Sequence, residues 1–226
     1  MDHKRLVEAA RMALVEIVPD GVCGRVEHME VDLPFVDAEI EQLQTAVDRR
    51  RREFIAGRHC LREALFASGA EGPITLLSDG DGLPEIPMGY LGSISHSRGL
   101  CLAVVATGPE FIYLGVDVEK TNRIGSAAME RVVHPDEAAW VNGDQRKASL
   151  LFSAKEAFYK AQFARDRVNG NFHDLVLEAD ESVQTLRVQC IAERFTKDLR
   201  EAKDLVRLCF RYVGDYVLCL CWMKKS

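Results

Sequence analysis

The sequence lacks several features that would place the protein in a membrane or in an oxidising compartment. No apolar run approaches the roughly 20 residues that a helix needs to cross a bilayer. The first residues, Met1 to Arg5, are mostly polar, unlike a secretory signal peptide. The seven cysteines form no CxxC pair, and most lie in apolar runs, which is typical of buried free thiols in a reducing compartment. These absences predict a soluble, cytoplasmic protein without a membrane partner.

An excess of positive charge is also missing. The formal net charge is −6 at pH 7, which argues against a protein that binds nucleic acid over a broad surface. The chain contains no internal repeat and no low-complexity tract. With 47% hydrophobic and 28% charged residues its composition is that of an ordinary globular protein, and 226 residues allow one large domain or two small ones.

The pattern of apolar residues predicts an α+β fold in two halves, because helical patterns are followed by strand patterns twice along the chain. Thr107-Gly108-Pro109 is the expected boundary, between an N-terminal half of residues 1–108 and a C-terminal half of residues 109–226. Helices are expected over 2–17, 36–68 (two helices or one bent helix), 126–131, 135–141 and 145–164. Strands are expected at 22–31, 74–77, 91–95, 100–107 and 111–118, and within 174–190 and 205–223.

The most informative segment is Gly115-Val116-Asp117-Val118-Glu119, which ends an apolar strand pattern. Side chains two apart in a strand share a face, so Asp117 and Glu119 would stand side by side and repel each other. A hard divalent cation such as Mg²⁺, which takes oxygen ligands, would relieve that repulsion. The predicted helix 145–164 adds Glu156 and, one turn later, Lys160. A solvated strand edge and a surface ion pair are the alternative explanations of these charges.

Two further segments favour an anionic ligand. Four arginines at 49–52, followed by Arg58 and Arg62, include side chains that could share one helix face, and guanidinium groups match phosphate oxygens well. The segment 92–97 ends a predicted strand in serines and His96, where small residues let the backbone approach a phosphate. A solvated basic face and a structural histidine remain the alternatives. No GxSxG nucleophile elbow is present in this segment, which argues against a serine hydrolase.

Taken together, these motifs resemble those of the 4′-phosphopantetheinyl transferase superfamily, in the same order and at similar spacings. The carrying segments are Gly57-Arg58 with Arg62, Ser93-Ile94-Ser95-His96-Ser97, Gly115–Glu119 and Phe152–Lys160. The arginine-rich helix resembles the larger, monomeric type associated with siderophore and non-ribosomal peptide synthesis. The resemblance implies two similar α/β halves related by a pseudo-two-fold. It also implies an Mg²⁺-dependent transfer of the phosphopantetheine arm of coenzyme A to a serine of an apo acyl- or peptidyl-carrier protein, with release of 3′,5′-ADP.

The resemblance also implies roles for individual residues. Asp117, Glu119 and Glu156 would hold Mg²⁺, with Glu156 as the general base for the incoming serine. The chemical step would therefore use Glu156, Lys160 and Asp117. Coenzyme A would contact a larger set of side chains: Arg50 and Arg58 with His96 at the phosphates, Ser95 at the adenosine end, and Lys155 and Lys160 where charge develops.

One departure from the family pattern lies in the loop at 78–84. Relatives often carry a lysine or arginine in this loop, whereas this chain has serine and aspartates there, so one phosphate contact would have to come from another residue. Two other functions remain open on the sequence. A metal-dependent hydrolase of a phosphodiester or pyrophosphate would release 3′,5′-ADP without any carrier, and a non-enzymatic coenzyme A binding module would tolerate the loss of Glu156.

Overall fold

The structure, a computed structural model, describes residues 2–43 and 47–225. Its helices are α1 (His3–Ile17), α2 (Asp37–Ile40), α3 (Asp48–Ala67), α4 (Ser126–Val132), α5 (Ala138–Val141), α6 (Gln145–Asp166) and α7 (Lys197–Glu201). Its strands are β1 (Val22–His28), β2 (Tyr90–Ser97), β3 (Leu100–Thr107), β4 (Phe111–Lys120), β5 (Leu175–Asp180), β6 (Thr185–Ile191), β7 (Arg207–Val213) and β8 (Tyr216–Lys224). Short 3₁₀ turns occur at Glu41–Leu43, Pro135–Glu137, Phe172–Asp174 and Lys203–Leu205.

The N-terminal half is a three-stranded antiparallel sheet in the order β1-β3-β2. The two strands β2 and β3 form a hairpin whose turn, Arg98-Gly99, has φ of 40° and 100°, as a two-residue hairpin turn requires. The side chains of β3 alternate between a cluster shared with α1 and a cluster shared with α3. Both faces of this central strand are therefore covered, which explains its continuous apolar sequence.

The C-terminal half is a five-stranded antiparallel sheet in the order β4-β8-β7-β6-β5, with α6 packed against it. Gly115 on β4 decides how closely the helix approaches. A Cβ at this position would lie 2.1 Å from the carbonyl oxygen of Ala157 and 2.5 Å from the backbone nitrogen of Ala161. Because no side chain separates them, β4 and α6 pack backbone to backbone, and the next residues of each face one another.

The two halves meet along β2 and β4, which are joined by serine side chains. The hydroxyl of Ser93 accepts a hydrogen bond from the Val116 N–H (3.1 Å), and that of Ser95 accepts one from the Val118 N–H (3.2 Å). Around this junction α1, both sheets and the end of β7 share one apolar cluster. The halves are therefore held together by a continuous core as well as by the serine ladder.

The α+β class is confirmed, with one long helix on an antiparallel sheet in each half; the pseudo-two-fold stays a prediction. In the stretch predicted as two helices or one bent helix, α2 and α3 are separate, and residues 44–46 lie outside the described residues. The strand expected at 74–77 does not form. Its backbone is bonded by side chains instead: the carbonyls of Ile74 and Leu76 accept from Arg62 and Arg58. Within the described ranges, no helix has both the length and the apolar character to span a bilayer.

Candidate active site

The predicted carboxylates converge where β4 faces α6. Asp117 is only 3% exposed, and its Oδ1 accepts a hydrogen bond from the Lys160 ammonium at 2.7 Å and one from the Ser95 hydroxyl at 2.8 Å. Its second oxygen, Oδ2, is buried and has no hydrogen-bond partner among the residues that the structure describes. A buried carboxylate oxygen left without a partner is costly, so this atom is suited to a cation.

Burial, and after it repulsion between the carboxylates, raises the pKa of the other two acidic residues. Burial raises the pKa of Glu156, and the Asp117 charge raises it further, while the charges of Lys160 and Arg123 oppose the shift. Burial and the Asp117 charge also raise the pKa of Glu119, whose Oε2 accepts a hydrogen bond from the Ser97 hydroxyl at 2.8 Å. Added positive charge would stabilise all three ionised groups.

The donor set fits a hard divalent cation, because it offers three carboxylates and a buried oxygen without a partner. The oxygens of Asp117, Glu119 and Glu156 do not all lie within 4.8 Å of one another in this structure. In the described part of the chain, the group that meets this distance is His3, His28 and Glu30. The rings of His3 and His28 are stacked, with centroids 3.7 Å apart and planes 15° from parallel. A metal lies in the plane of each ligating ring, so parallel stacked rings cannot share one ion in this arrangement.

Basic residues line a cavity of about 1040 Å³ that Glu156 and Lys160 also line. Arg50, Arg58 and His96 line it. Arg58 is buried and fixed: its Nε donates to the Leu76 carbonyl (2.7 Å) and its Nη2 to the Ser78 hydroxyl (2.8 Å). Burial lowers the pKa of Arg58 to about 10, so it remains charged at neutral pH. A fixed cation in a concave site favours an anionic ligand.

Comparison with known proteins connects this geometry to one family. The family described as "4'-phosphopantetheinyl transferase N-terminal domain" matches residues 38–106, and that described as "4'-phosphopantetheinyl transferase superfamily" matches residues 113–221. The transferase Npt of Nocardia iowensis is 36% identical over 150 residues, 64% of this chain and 67% of Npt. The transferase Svp of Streptomyces mobaraensis is 30% identical over 177 residues, 73% of this chain and 72% of Svp.

The chain belongs to the 4′-phosphopantetheinyl transferase superfamily. The match of both halves confirms the larger type that has an N-terminal domain. A solved structure that resembles the chain more distantly is a holo-(acyl-carrier-protein) synthase from Bacillus anthracis in complex with CoA (3′,5′-ADP). It is 19% identical with a TM-score of 0.40, over 52% of this chain and 99% of that one.

Two of the residues that the sequence assigned to coenzyme A have other contacts in this phosphopantetheinyl transferase. Ser95 is 4% exposed; its hydroxyl donates to Asp117 and accepts from the Val118 N–H. It therefore positions Asp117 rather than seating adenosine. Lys155 lies on the buried face of α6. Its ammonium is fully buried and donates to Glu137 (2.7 Å) and to two backbone carbonyls. All its protons are engaged away from the cavity, so the expected phosphate contact of Lys155 does not fit the structure.

His96 lies where the large cavity meets a second one of about 730 Å³. Burial lowers the pKa of His96, and the charges of Lys160 and Arg50 lower it further. The charges of Glu53 and Asp117 oppose this shift. The imidazole is therefore mostly neutral at pH 7 and offers a hydrogen-bond donor rather than a fixed charge. Glu119 lines the second cavity and Glu156 the first, so the carboxylates of the transferase stand between the two.

Sequence reasoning missed Glu137, which is 2% exposed. Its Oε1 accepts from the Leu177 N–H, and its Oε2 accepts from the His134 N–H and from Lys155. The residue joins the turn before α5, the helix α6 and the strand β5. Its bond to the His134 N–H is local and belongs to a capping box, but its partners Lys155 and Leu177 lie 18 and 40 residues away, which is beyond the reach of a local pattern.

Proposed function

We propose that this transferase moves the 4′-phosphopantetheine arm of coenzyme A to a serine hydroxyl of an apo carrier protein and releases 3′,5′-ADP in an Mg²⁺-dependent reaction. The observation that carries the proposal is the buried, unpartnered Oδ2 of Asp117, whose other oxygen accepts a hydrogen bond from Lys160; Lys160 and Glu156 line the cavity that also contains Arg50 and Arg58. The family names and the relatives' printed activities support the reaction type.

Asp117, Glu119 and Glu156 would hold the metal ion. When bound, Mg²⁺ would neutralise the pyrophosphate of coenzyme A and help to align it for displacement. The orphaned oxygen of Asp117 and the raised pKa of each glutamate fit this assignment, because each feature is relieved by positive charge.

The arginines would bind and orient coenzyme A. Arg58 is held by Leu76 and Ser78 and stacks over the Phe54 ring at 4.5 Å, so its fork is already ordered before a phosphate arrives. Arg50 lines the same cavity. We assign these two residues to the 3′-phosphate and assign a neutral His96 to a phosphate oxygen as a hydrogen-bond donor.

The chemical step forms one phosphorus–oxygen bond and breaks another. The carrier serine oxygen bonds to the phosphorus that bears the pantetheine arm, the bond from this phosphorus to the bridging oxygen breaks, and 3′,5′-ADP leaves. The serine proton passes to the Glu156 carboxylate, which the bound cation and Lys160 would keep ionised and therefore able to accept it. Lys160, released from Asp117, neutralises charge on the departing phosphate.

All of these groups belong to one chain, which supports a monomeric enzyme. We propose further that it acts in the cytoplasm, on acyl- or peptidyl-carrier domains of the kind used in siderophore and non-ribosomal peptide synthesis. The relatives' names specify the transferase activity and leave the pathway to experiment.

The decisive experiment incubates the protein with coenzyme A, Mg²⁺ and an apo carrier domain and weighs the carrier by mass spectrometry. We expect the carrier to gain one phosphopantetheine group, and the gain to disappear with a chelator or with Glu156→Gln. Glu178→Gln, which changes an exposed glutamate of β5, serves as the matched control. Release of 3′,5′-ADP without a carrier, with no mass gain on the carrier, would support the hydrolase and overturn the proposal.

A further inference from the structure

The loop at 78–84 is held by internal hydrogen bonds. The Asp79 carboxylate accepts hydrogen bonds from the N–H groups of Asp81 and Leu83, both at 2.9 Å, and the Asp79 N–H donates to the Leu83 carbonyl at 2.8 Å. Such an Asx-type turn presents its side chains in fixed directions. Ser78, Asp79 and Leu83 line the large cavity, so this loop forms part of the cavity wall.

Arg167 reaches this loop from the opposite half of the protein. It is the first residue after α6 and has a left-handed backbone with φ of 55°, a conformation in which helices more often end on glycine. Its Nη1 donates to Asp81 Oδ2 at 2.8 Å and its Nη2 to Asp79 Oδ2 at 2.9 Å. These bonds span 86 and 88 residues of sequence and join the two halves across the cavity.

The same loop is attached at its other end to a residue of the proposed coenzyme A site. Arg58 donates to the Ser78 hydroxyl and to the Leu76 carbonyl. The loop therefore connects Arg58 to the end of α6. Opening the contact with Arg167 would free one end of the cavity wall and loosen the support of Arg58.

We propose that Asp79, Asp81 and Arg167 form a strap that closes the coenzyme A cavity across the two halves and slows release of the bound substrate. This inference rests on the proposed function for the identity of the ligand. The three act here as positioning residues, because Arg167 gives one N–H from each outer nitrogen to the loop carboxylates and its guanidinium is thereby oriented toward the loop.

The strength of the contact suits a strap that opens. The side chains of Arg167, Asp79 and Asp81 remain 42%, 26% and 57% exposed, and exposed ion pairs are weak and screened by salt. A weak pair contributes little to the folded state. It can still shift an equilibrium between open and closed cavities by about five- to tenfold, which is enough to change a dissociation rate.

The test compares three variants with the wild type. Arg167→Gln removes the charge and keeps most of the side-chain length. Asp79→Asn with Asp81→Asn removes the opposite charges and keeps an amide oxygen that can still support the Asx turn. The third variant combines all three changes. Arg187→Gln is the matched control, because Arg187 forms an exposed ion pair with Glu178 far from the cavity.

Two measurements are made on each variant. Amide hydrogen exchange of the ligand-free protein reports whether the segment 77–84 is held. Stopped-flow displacement reports the coenzyme A dissociation rate at low salt and in 0.5 M NaCl. We expect Arg167→Gln and the double Asp variant each to exchange faster at 77–84 and to release coenzyme A about five- to tenfold faster. The combined variant should release coenzyme A no faster than either of these two, because all three lose the same contact. High salt should shrink the differences.

Several results would overturn the proposal. If Asp79→Asn with Asp81→Asn left release unchanged or slowed it while Arg167→Gln accelerated it, Arg167 would contact the ligand directly. Unchanged exchange at 77–84 in every variant would mean that no strap holds the loop, and faster exchange with unchanged release would mean that the contact does not retain substrate. Failure of the wild type to bind coenzyme A would overturn the proposed function and the ligand named here, while the exchange measurement would still decide whether the strap exists.

Discussion

Lys155→Met separates a structural lysine from a phosphate-binding one. In the sequence, Lys155 is adjacent to Glu156 and was expected to contact phosphate. In the structure, its ammonium is fully buried and donates to Glu137, to the Val132 carbonyl (3.0 Å) and to the Phe172 carbonyl (2.9 Å). Burial lowers the pKa of Lys155, and the Glu137 charge opposes that shift. Methionine has a similar length but leaves Glu137 as a buried, unpaired charge.

The expected cost is large. Removing one partner of a buried ion pair destabilises a protein by about 3–5 kcal/mol. Because 1 kcal/mol shifts the midpoint of a domain of this size by about 2–4 °C, Lys155→Met should lower the unfolding temperature by about 6–20 °C. Adding Glu137→Gln to Lys155→Met should recover part of this loss, since the unpaired carboxylate is then gone.

The assay is thermal unfolding of the ligand-free protein, followed by calorimetric titration with coenzyme A at a temperature where each variant is folded. Lys197→Met is the control, because Lys197 is an exposed lysine paired with Glu201 one turn away; its effect should stay within about 0.5 kcal/mol. We expect Lys155→Met to bind coenzyme A nearly as well as the wild type once folded. Normal thermal stability together with a 10- to 100-fold loss of coenzyme A affinity would refute the reasoning and return Lys155 to the phosphate site.

Three further predictions concern the site itself. Glu156→Gln should raise the unfolding temperature of the metal-free protein at pH 7, since relieving crowded charges in functional sites commonly adds about 0.5–2 kcal/mol. The pKa of Glu156 is raised in the folded state, so ionisation of Glu156 destabilises the fold as pH rises through that pKa. The stability gained by Glu156→Gln should vanish below about pH 4, where Glu156 is protonated in the folded and the unfolded protein. An equal gain at pH 4 and pH 7 would contradict this explanation. Arg58→Gln should weaken the binding of coenzyme A by about 10- to 100-fold in calorimetry and should weaken the binding of dephospho-coenzyme A, which lacks the 3′-phosphate, much less. Equal losses of affinity would mean that Arg58 does not bind the 3′-phosphate. Ser95→Ala should lower kcat and raise the Mg²⁺ concentration needed, with little change in KM for coenzyme A, because Ser95 orients Asp117; a rise in KM alone would instead place Ser95 at the ligand.

Much of the fold follows from local sequence. The bounds of α1, of the β2–β3 hairpin and of α6 agree with the predicted segments within a few residues, because apolar periodicity and turn residues act over short distances. The prediction of a strand at 74–77 was wrong because distant side chains, which local sequence does not show, bond this segment. The backbone groups that a neighbouring strand would use are bonded instead by arginines of α3 and by the carboxylate of Glu39.

The geometry of the candidate site was predictable in part. The two-residue spacing of Asp117 and Glu119 fixed a common face, and the helical spacing of Glu156 and Lys160 fixed another. Tertiary packing then set these faces against each other through Gly115, where the absence of a side chain lets α6 reach β4. The spacing therefore predicted each pair, and the close contact of helix and strand brought the pairs together.

By itself, the sequence determined the α+β class and the family, and it predicted the carboxylates and arginines of the proposed site, because these features are carried by residues close together in the chain. Only the tertiary structure decided which polar side chains are structural. Ser95 bonds Asp117 22 residues away, Lys155 bonds Glu137 18 residues away, and Arg167 bonds the loop at 78–84 from the other half. A buried polar group must find a partner wherever packing places one. That partner is set by how the two halves fold against each other and not by the neighbouring sequence.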